Sequence, residues 1–190
     1  MADTNKIKYG IKNVYYAVAT IASDGSATYA TPKAFPGAVS ISLAANGDTT
    51  PFYADNIVYY TSVANNGYEG DLEMARISED FLKDILGYAV GANDLVYEDA
   101  NAAVVHFALL FQFEGDATAR RHVLYNCVAA RPDIASSTKT ESIEPQTETL
   151  SLTCTTIFND DVDTDIVKGY LNEGDTGYST FFSAVLQPTV

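Results

Sequence analysis

The chain has 190 residues and a net charge of −14 at pH 7, because 25 Asp and Glu side chains outnumber 11 Lys and Arg. This length suits one well-packed domain, and 47% hydrophobic against 19% charged residues excludes a disordered chain. So acidic a surface argues against specific nucleic-acid binding, although it suits a wall past which DNA slides without sticking. The 13 Tyr, 9 Phe and many Val, Ile and Thr residues favour a mainly β fold.

The N-terminal part of the sequence predicts short strands separated by turns. Residues 1–12 are polar and are expected to form a flexible arm, without the apolar segment typical of a signal peptide. Residues 13–22 favour a strand that turns at Asp24-Gly25-Ser26 into a second strand at 28–31. Ala38–Leu43 alternates apolar and small residues, which is the pattern of a half-buried strand.

A long polar segment and a hairpin are predicted to follow that strand. Ala44–Asp55 (AANGDTTPFYAD) is expected to form an extended loop. Ile57–Ala75 is expected to form a hairpin that turns at Asn65-Asn66-Gly67. A small β domain with a long arm and no catalytic groups is suited to assembly with copies of itself.

One short helix is predicted to begin after Ser78. Ser78 is a favourable N-cap, and the two acidic residues that follow it suit the positive end of the helix dipole. Gly87 is expected to end the helix. The apolar stripe must cover a sheet, because so short a helix is unstable alone; it consists of Ile77, Phe81, Leu82, Ile85 and Leu86.

Three strands are predicted in the second half of the chain, at 103–113, 121–128 and 148–158. The first of them is apolar on both faces, which predicts burial on both sides with the outer face against a partner. Residues 132–146 are polar and extended, and they suit either a connection or a second arm. No membrane span is predicted, because no window approaches the roughly 18–20 apolar residues that a span needs.

The C-terminal segment, 159–190, is rich in Gly and Asp until Thr180 and then ends in an apolar patch that includes Phe181 and Phe182. Such a terminus is normally held against its own domain or against a neighbour. We therefore expect residues 1–158 to form the main β domain and 159–190 to form an extension or arm of the same domain.

Two groups of residues have side chains that could bind a metal. In the first, counting from Asp161, Ile166 and Asn172 stand where a calcium loop needs Gly and Glu, so solvated acids are favoured over a weak calcium site. The second group lacks zinc-ligand spacing and is expected to be structural, with both cysteines as buried free thiols. The first group is Asp160, Asp161, Asp163 and Asp165; the second is His106, His122, Cys127 and Cys154.

Arg120, Arg121 and Arg131 are the main cluster of basic residues. Two interpretations stay open: ion pairs with nearby acids of the same chain, or contact with an acidic patch on the next subunit. No nucleophile motif or phosphate-binding loop is present, so neither an enzymatic activity nor a cofactor is predicted.

A series of short segments carries a more specific signal. The segments are GIKNVYYAV (10–18), YATPK (29–33), PGAVSISL (36–43), YADN (53–56), NGYEGDLEM (66–74), ISEDFLKDILGY (77–88), LYNC (124–127), RPDI (131–134) and TKTESIEPQTETLSLT (138–153). In this order they resemble the major tail proteins, or tail-tube proteins, of long non-contractile-tailed bacteriophages. The resemblance spans about residues 8 to 158 and fades after Phe158.

This resemblance implies a β-sandwich or barrel-like tail-tube fold with one short flanking helix and long arms. It also implies hexameric rings, assembled in the host cytoplasm and stacked into the virion tail tube. DNA would pass through the lumen without specific binding, and the tape-measure, tail-terminator and distal tail proteins would be partners. By position, the 44–56 loop would reach an adjacent ring and the termini would bridge neighbours. The candidate assembly residues are Asn46, Gly47, Asp48, Pro51, Phe52, Tyr53, Asp55, Phe181 and Phe182.

A non-catalytic binding module is the alternative function. In this interpretation the β-sandwich would bind carbohydrate or calcium on a virion or cell surface. Calcium binding at the acids of 160–165 would raise the melting temperature, because a ligand that binds only the folded state stabilises it.

Overall fold

The computed structural model describes residues 7–138 and 145–190, and it confirms a mainly β fold with 49% strand and 5% helix. Residues 1–6 of the predicted N-terminal arm, and 139–144 of the predicted connection, lie outside the described residues. The helices are α1 (Glu79–Asp84) and a 3-10 turn (Tyr178–Thr180). The strands are β1 (Tyr9–Ile21), β2 (Ala27–Tyr29), β3 (Lys33–Ala34), β4 (Ala38–Ala45), β5 (Thr49–Ala54), β6 (Ile57–Val63), β7 (Tyr68–Met74), β8 (Tyr88–Val90), β9 (Val96–Glu98), β10 (His106–Glu114), β11 (Arg121–Ala129), β12 (Glu148–Thr155), β13 (Ile157–Asn159), β14 (Thr164–Ile166) and β15 (Lys168–Leu171).

Nine strands form one curled antiparallel sheet in the order β2-β1-β10-β11-β12-β7-β4, with β3 and β15 attached to β1 and β11. Strand β11 pairs with β15 through its first half and with β12 through its second half. The sheet curls until its edge strand β4 lies close to β1. The two strands are not hydrogen-bonded neighbours, so the barrel stays open along this seam.

The concave face of the sheet holds the main core, which α1 covers as predicted. The Ser78 side chain accepts a hydrogen bond from the backbone N–H of Phe81 at 3.4 Å and so caps the helix. Phe81 is fully buried and stacks on Phe35, with ring centroids 4.4 Å apart. The Tyr16 hydroxyl donates a hydrogen bond to Asp84 at 2.8 Å, which ties the end of the helix to β1. The helix is thus held to the sheet by packing and by a polar contact.

A second core lies on the opposite face of β10 and β11, and it corrects the predicted outer partner. Phe107, Leu109 and Phe111 face the first core, whereas Ala108 and Leu110 face the second. Both faces of β10 are buried, as predicted. However, the outer face is covered by the chain's own C-terminal residues and not by another molecule. These covering residues are Phe181, Phe182, Val185 and Leu186.

The predicted loop and the predicted hairpin between β4 and α1 were both wrong. Residues 44–45 belong to β4, and most of the remaining loop is strand β5. Strand β6 pairs with β5 and not with β7, which lies between β4 and β12 in the sheet. The chain therefore turns at Asp55-Asn56, and Asn65-Asn66-Gly67 lies within one side of a longer ribbon.

Two smaller boundaries also differ from the predictions. Strand β1 begins at Tyr9, which pairs with Glu114, so the last part of the predicted arm 1–12 is ordered in the sheet. The strand predicted at 148–158 is two strands, β12 and β13, because β13 leaves the main sheet to pair with β14. Alternation alone does not reveal such a change of partner.

Candidate assembly surface

A single long β-ribbon runs from β4 and β5 through a tight turn and back through β6 and β7. Ala45 pairs with Tyr68, and the ladder continues past the junction where the Ala64 N–H donates to the Asp48 carbonyl at 2.9 Å. Asp55 and Asn56 have φ values of 51° and 63°, as a two-residue type I′ turn requires. The outer half, β5 and β6 with their turn, is called the arm below.

The arm carries large apolar side chains that nothing in the described part of the chain covers. Phe52 is 61% exposed and Tyr59 is 74% exposed. Asp55 is the sole charged residue in the sequence Thr49–Val63. The other exposed members are Tyr53, Ile57, Val58, Tyr60 and Val63. An exposed apolar surface of this kind marks an interaction site.

Both faces of the arm are apolar. The register pairs Phe52 with Tyr60 on one face and Thr49 with Val63 on the other. A two-stranded ribbon without a sheet or helix behind it is marginal in water. The arm therefore has the composition of an element that a partner covers.

The structure places the candidate residues of 46–55 along this ribbon, where their assembly role stays a prediction. Asn46 and Asp48 hold the junction through backbone hydrogen bonds to the opposite side. Gly47 admits no side chain, because a Cβ there would lie 2.1 Å from the Ala64 carbonyl oxygen. Pro51, Phe52 and Tyr53 are in β5, and Asp55 is in the turn.

Sequence reasoning missed the second half of the arm, Ile57–Val63. The sequence prediction placed these residues in a hairpin that extends to Ala75, because Asn65-Asn66-Gly67 is a favourable turn sequence. The Asp55-Asn56 pair between two aromatic runs was the available signal, since both residue types tolerate the left-handed conformation of a hairpin turn.

Phe181 and Phe182, the other two candidates, lie against the chain's own sheet. Phe181 is only 1% exposed, and Phe182 stacks on Tyr15 with ring centroids 4.8 Å apart. The Arg121 guanidinium lies 3.8 Å from the Tyr178 ring centroid and donates to the Tyr178 carbonyl oxygen. These contacts hold the C-terminal segment on the second core.

The basic cluster separates into two kinds of contact. Arg131 forms an ion pair with Glu98 at 2.6 Å, as the first interpretation predicts. Arg120 donates a hydrogen bond to the Asn172 side chain at 3.2 Å and lies 4.3 Å from the Tyr170 ring centroid. Arg120 and Arg121 therefore bind amide, carbonyl and aromatic groups of the C-terminal segment, and neither forms a salt bridge with the described acids.

The candidate metal ligands are not brought together. Among the described residues, no group of three or more His, Cys, Asp or Glu side chains is placed to hold a metal ion. His106 contacts the Asn126 side chain at 2.7 Å. Cys127 and Cys154 are buried free thiols on paired strands, with sulfur atoms 2.9 Å apart, and burial raises the pKa of Cys127.

His122 lies in a cleft at the open seam of the sheet. Its ring stacks on Phe111 with centroids 5.3 Å apart. The pKa of His122 is lowered from 6.5 to about 4, first by burial and then by the nearby cations Arg120, Lys8 and Lys168, against an opposing effect of Asp116. The side chain is therefore neutral in the folded protein near pH 7.

This shift predicts a pH-dependent stability. Between pH 6.5 and pH 4 the unfolded chain binds the His122 proton more readily than the folded protein does. The contribution of neutral His122 to the free energy of unfolding is therefore fully present above pH 6.5 and is lost as the pH falls through about 4. Urea denaturation across this range should show a smaller loss of stability for His122→Phe than for the wild type. Equal losses in both proteins would contradict the predicted shift.

The comparisons with known proteins give one family. A family model described as phage tail tube protein matches residues 2–165. A search of curated proteins found no significant match. The family match includes the whole arm and ends within β14, so β15 and the rest of the C-terminal segment lie outside it. In the described part of the chain, no helix has the length and apolar character to cross a membrane.

Proposed function

Because this chain belongs to the phage tail tube protein family, we propose that its copies form hexameric rings that stack into a tail tube for DNA delivery. The protein is a structural component of the phage tail. Its role in this proposal is mechanical, and catalysis has no part in it. Other tail proteins would meet the two ends of the stacked rings.

The exposed arm is the observation that supports this proposal best. It projects an aromatic ribbon whose one charged residue is Asp55, the described residues cover neither of its faces, and its strand β6 is exposed along its whole length. Buried aromatic side chains dominate the energy of most protein interfaces. A copy in the next ring can cover this ribbon, and a repeated contact of this kind extends an assembly without limit.

The charge of the chain supports the proposed passage of DNA. Each copy carries −14, so a ring of six has a strongly negative surface, part of which lines the lumen in this proposal. Phosphate groups are repelled by such a surface and gain no basic contacts that would hold them. DNA can then move through the tube without being retained.

Negative-stain electron microscopy of the purified protein tests the proposal. After size-exclusion chromatography, a concentration series should show hollow rings or tubes with sixfold end views. A different rotational symmetry would overturn the hexamer. Protein that stays monomeric at every concentration would overturn assembly from this chain alone.

A further inference from the structure

A cleft of about 380 Å³ opens at the seam of the curled sheet, between β4 and β7 on one side and β10, β11 and β15 on the other. Among the described residues none of its lining side chains is acidic, although acids outnumber bases in the chain by 25 to 11. The side chains that define its character are basic or aromatic: Lys8, Tyr68, Phe113, His122 and Lys168.

The two lysines of the cleft have no carboxylate partner among the described residues. Lys8 Nζ lies 4.7 Å from the Phe113 ring centroid, and Lys168 Nζ lies 4.5 Å from that of Tyr68. Four other cations of the described chain form salt bridges with acids: Lys12, Lys33, Lys83 and Arg131. The cleft therefore presents unpaired positive charge beside aromatic rings, which suits a carboxylate ligand.

The hairpin of β13 and β14 offers such carboxylates. Asp160 and Asp161 are exposed in its turn, and neither forms a salt bridge with the described residues. The Asn159 side chain holds the turn, since it accepts a hydrogen bond from the Val162 N–H at 3.1 Å and donates one to Gln187 at 3.1 Å. The acids are thus presented on a structured element.

The fold holds the acidic turn apart from the cleft of the same molecule. The Phe158 N–H of β13 donates to the Gly25 carbonyl in the turn between β1 and β2, and the Asn159 side chain donates to Gln187. Lys8 precedes the other end of β1, and Lys168 pairs with Leu124 of β11. Within the described part of one molecule no salt bridge joins either aspartate to either lysine, so a second copy is needed to bring these charges together.

We propose that the acidic hairpin of one copy docks in the lysine-lined cleft of a neighbouring copy. The cleft is large enough for the two exposed aspartate side chains, which meet Lys8 and Lys168 there. The contact is head-to-tail, because it joins two different surfaces of the same chain, and so it repeats along an assembly. This inference rests on the proposed function, since it specifies a contact between assembling copies.

Paired charge reversal tests the contact. One variant carries Lys8→Glu and Lys168→Glu in the cleft, and the other carries Asp160→Lys and Asp161→Lys in the hairpin. Each variant alone brings like charges together, so its critical concentration for assembly should rise about tenfold or more. A mixture of the two restores opposite charges at both kinds of contact and should assemble nearly as the wild type does. Sedimentation velocity measures assembly, and thermal unfolding confirms that both variants fold.

The outcomes separate the inference from the proposed function. If each variant alone loses assembly and the mixture recovers it, the docking is supported. If the wild type and both charge-reversal variants assemble alike, the docking is overturned and the proposed assembly stands. If both variants lose assembly and the mixture does not recover it, the docking is also overturned, because attraction between opposite charges would then not be the basis of the contact. A wild type that does not associate would overturn the proposed assembly itself.

Discussion

Replacing Thr49–Val63 by an Asn-Gly turn is expected to give a folded monomer that no longer assembles. The Ala64 N–H already donates to the Asp48 carbonyl, so a two-residue turn can close the shortened ribbon there. The removed strands pair with each other and lie outside both cores. We expect the critical concentration for assembly to rise at least about 100-fold, which corresponds to ~2.7 kcal/mol of lost interface energy. Electron microscopy and sedimentation measure the loss.

The control keeps the length of the arm but changes its chemistry. Phe52→Thr, Val58→Thr and Tyr60→Thr retain strand propensity and remove exposed apolar surface, so they should reduce assembly without shortening the ribbon. Deleting 46–55 alone is a poorer test, because β6 would lose its partner strand. Normal tubes from the shortened protein would show that the arm is not the assembly element.

Phe181→Ala is expected to destabilise the monomer by about 3–5 kcal/mol. The side chain is 1% exposed and fills the second core beside Ala108 and Leu110 of β10. Its removal leaves a cavity that neighbouring side chains fill only in part, and it loosens the segment that covers the outer face of the sheet. Urea denaturation should show the loss as a lower midpoint at an unchanged slope.

Phe52→Ala is the matched control for this measurement. The substitution is chemically identical, but Phe52 is 61% exposed, so the free energy of unfolding should change by no more than about 0.5 kcal/mol. Phe181→Ala should therefore lower monomer stability, whereas Phe52→Ala should weaken assembly. Equal midpoints would mean that the C-terminal segment is not packed on the second core.

Local sequence was sufficient for α1 and for the position of most strands. The N-cap at Ser78, the apolar spacing that follows and Gly87 each act within a few residues, so the helix could be read directly. Strand β10 was placed for a similar reason, because its side chains alternate between two faces that are both apolar. The mainly β class followed from composition and this alternation.

The sequence by itself therefore determined α1 and the position of most strands, and it carried the family resemblance that the family match confirms. Only the tertiary structure decided which strands pair and what covers each face. Ile57–Val63 has the same pattern whether it lies in the sheet or in a projecting arm, because pairing depends on distant residues. The outer face of β10 likewise needed a cover, and a contact with Phe181 far along the chain supplied it where a partner was expected. Local periodicity reports which residues are apolar, whereas long-range contacts decide where their faces are buried.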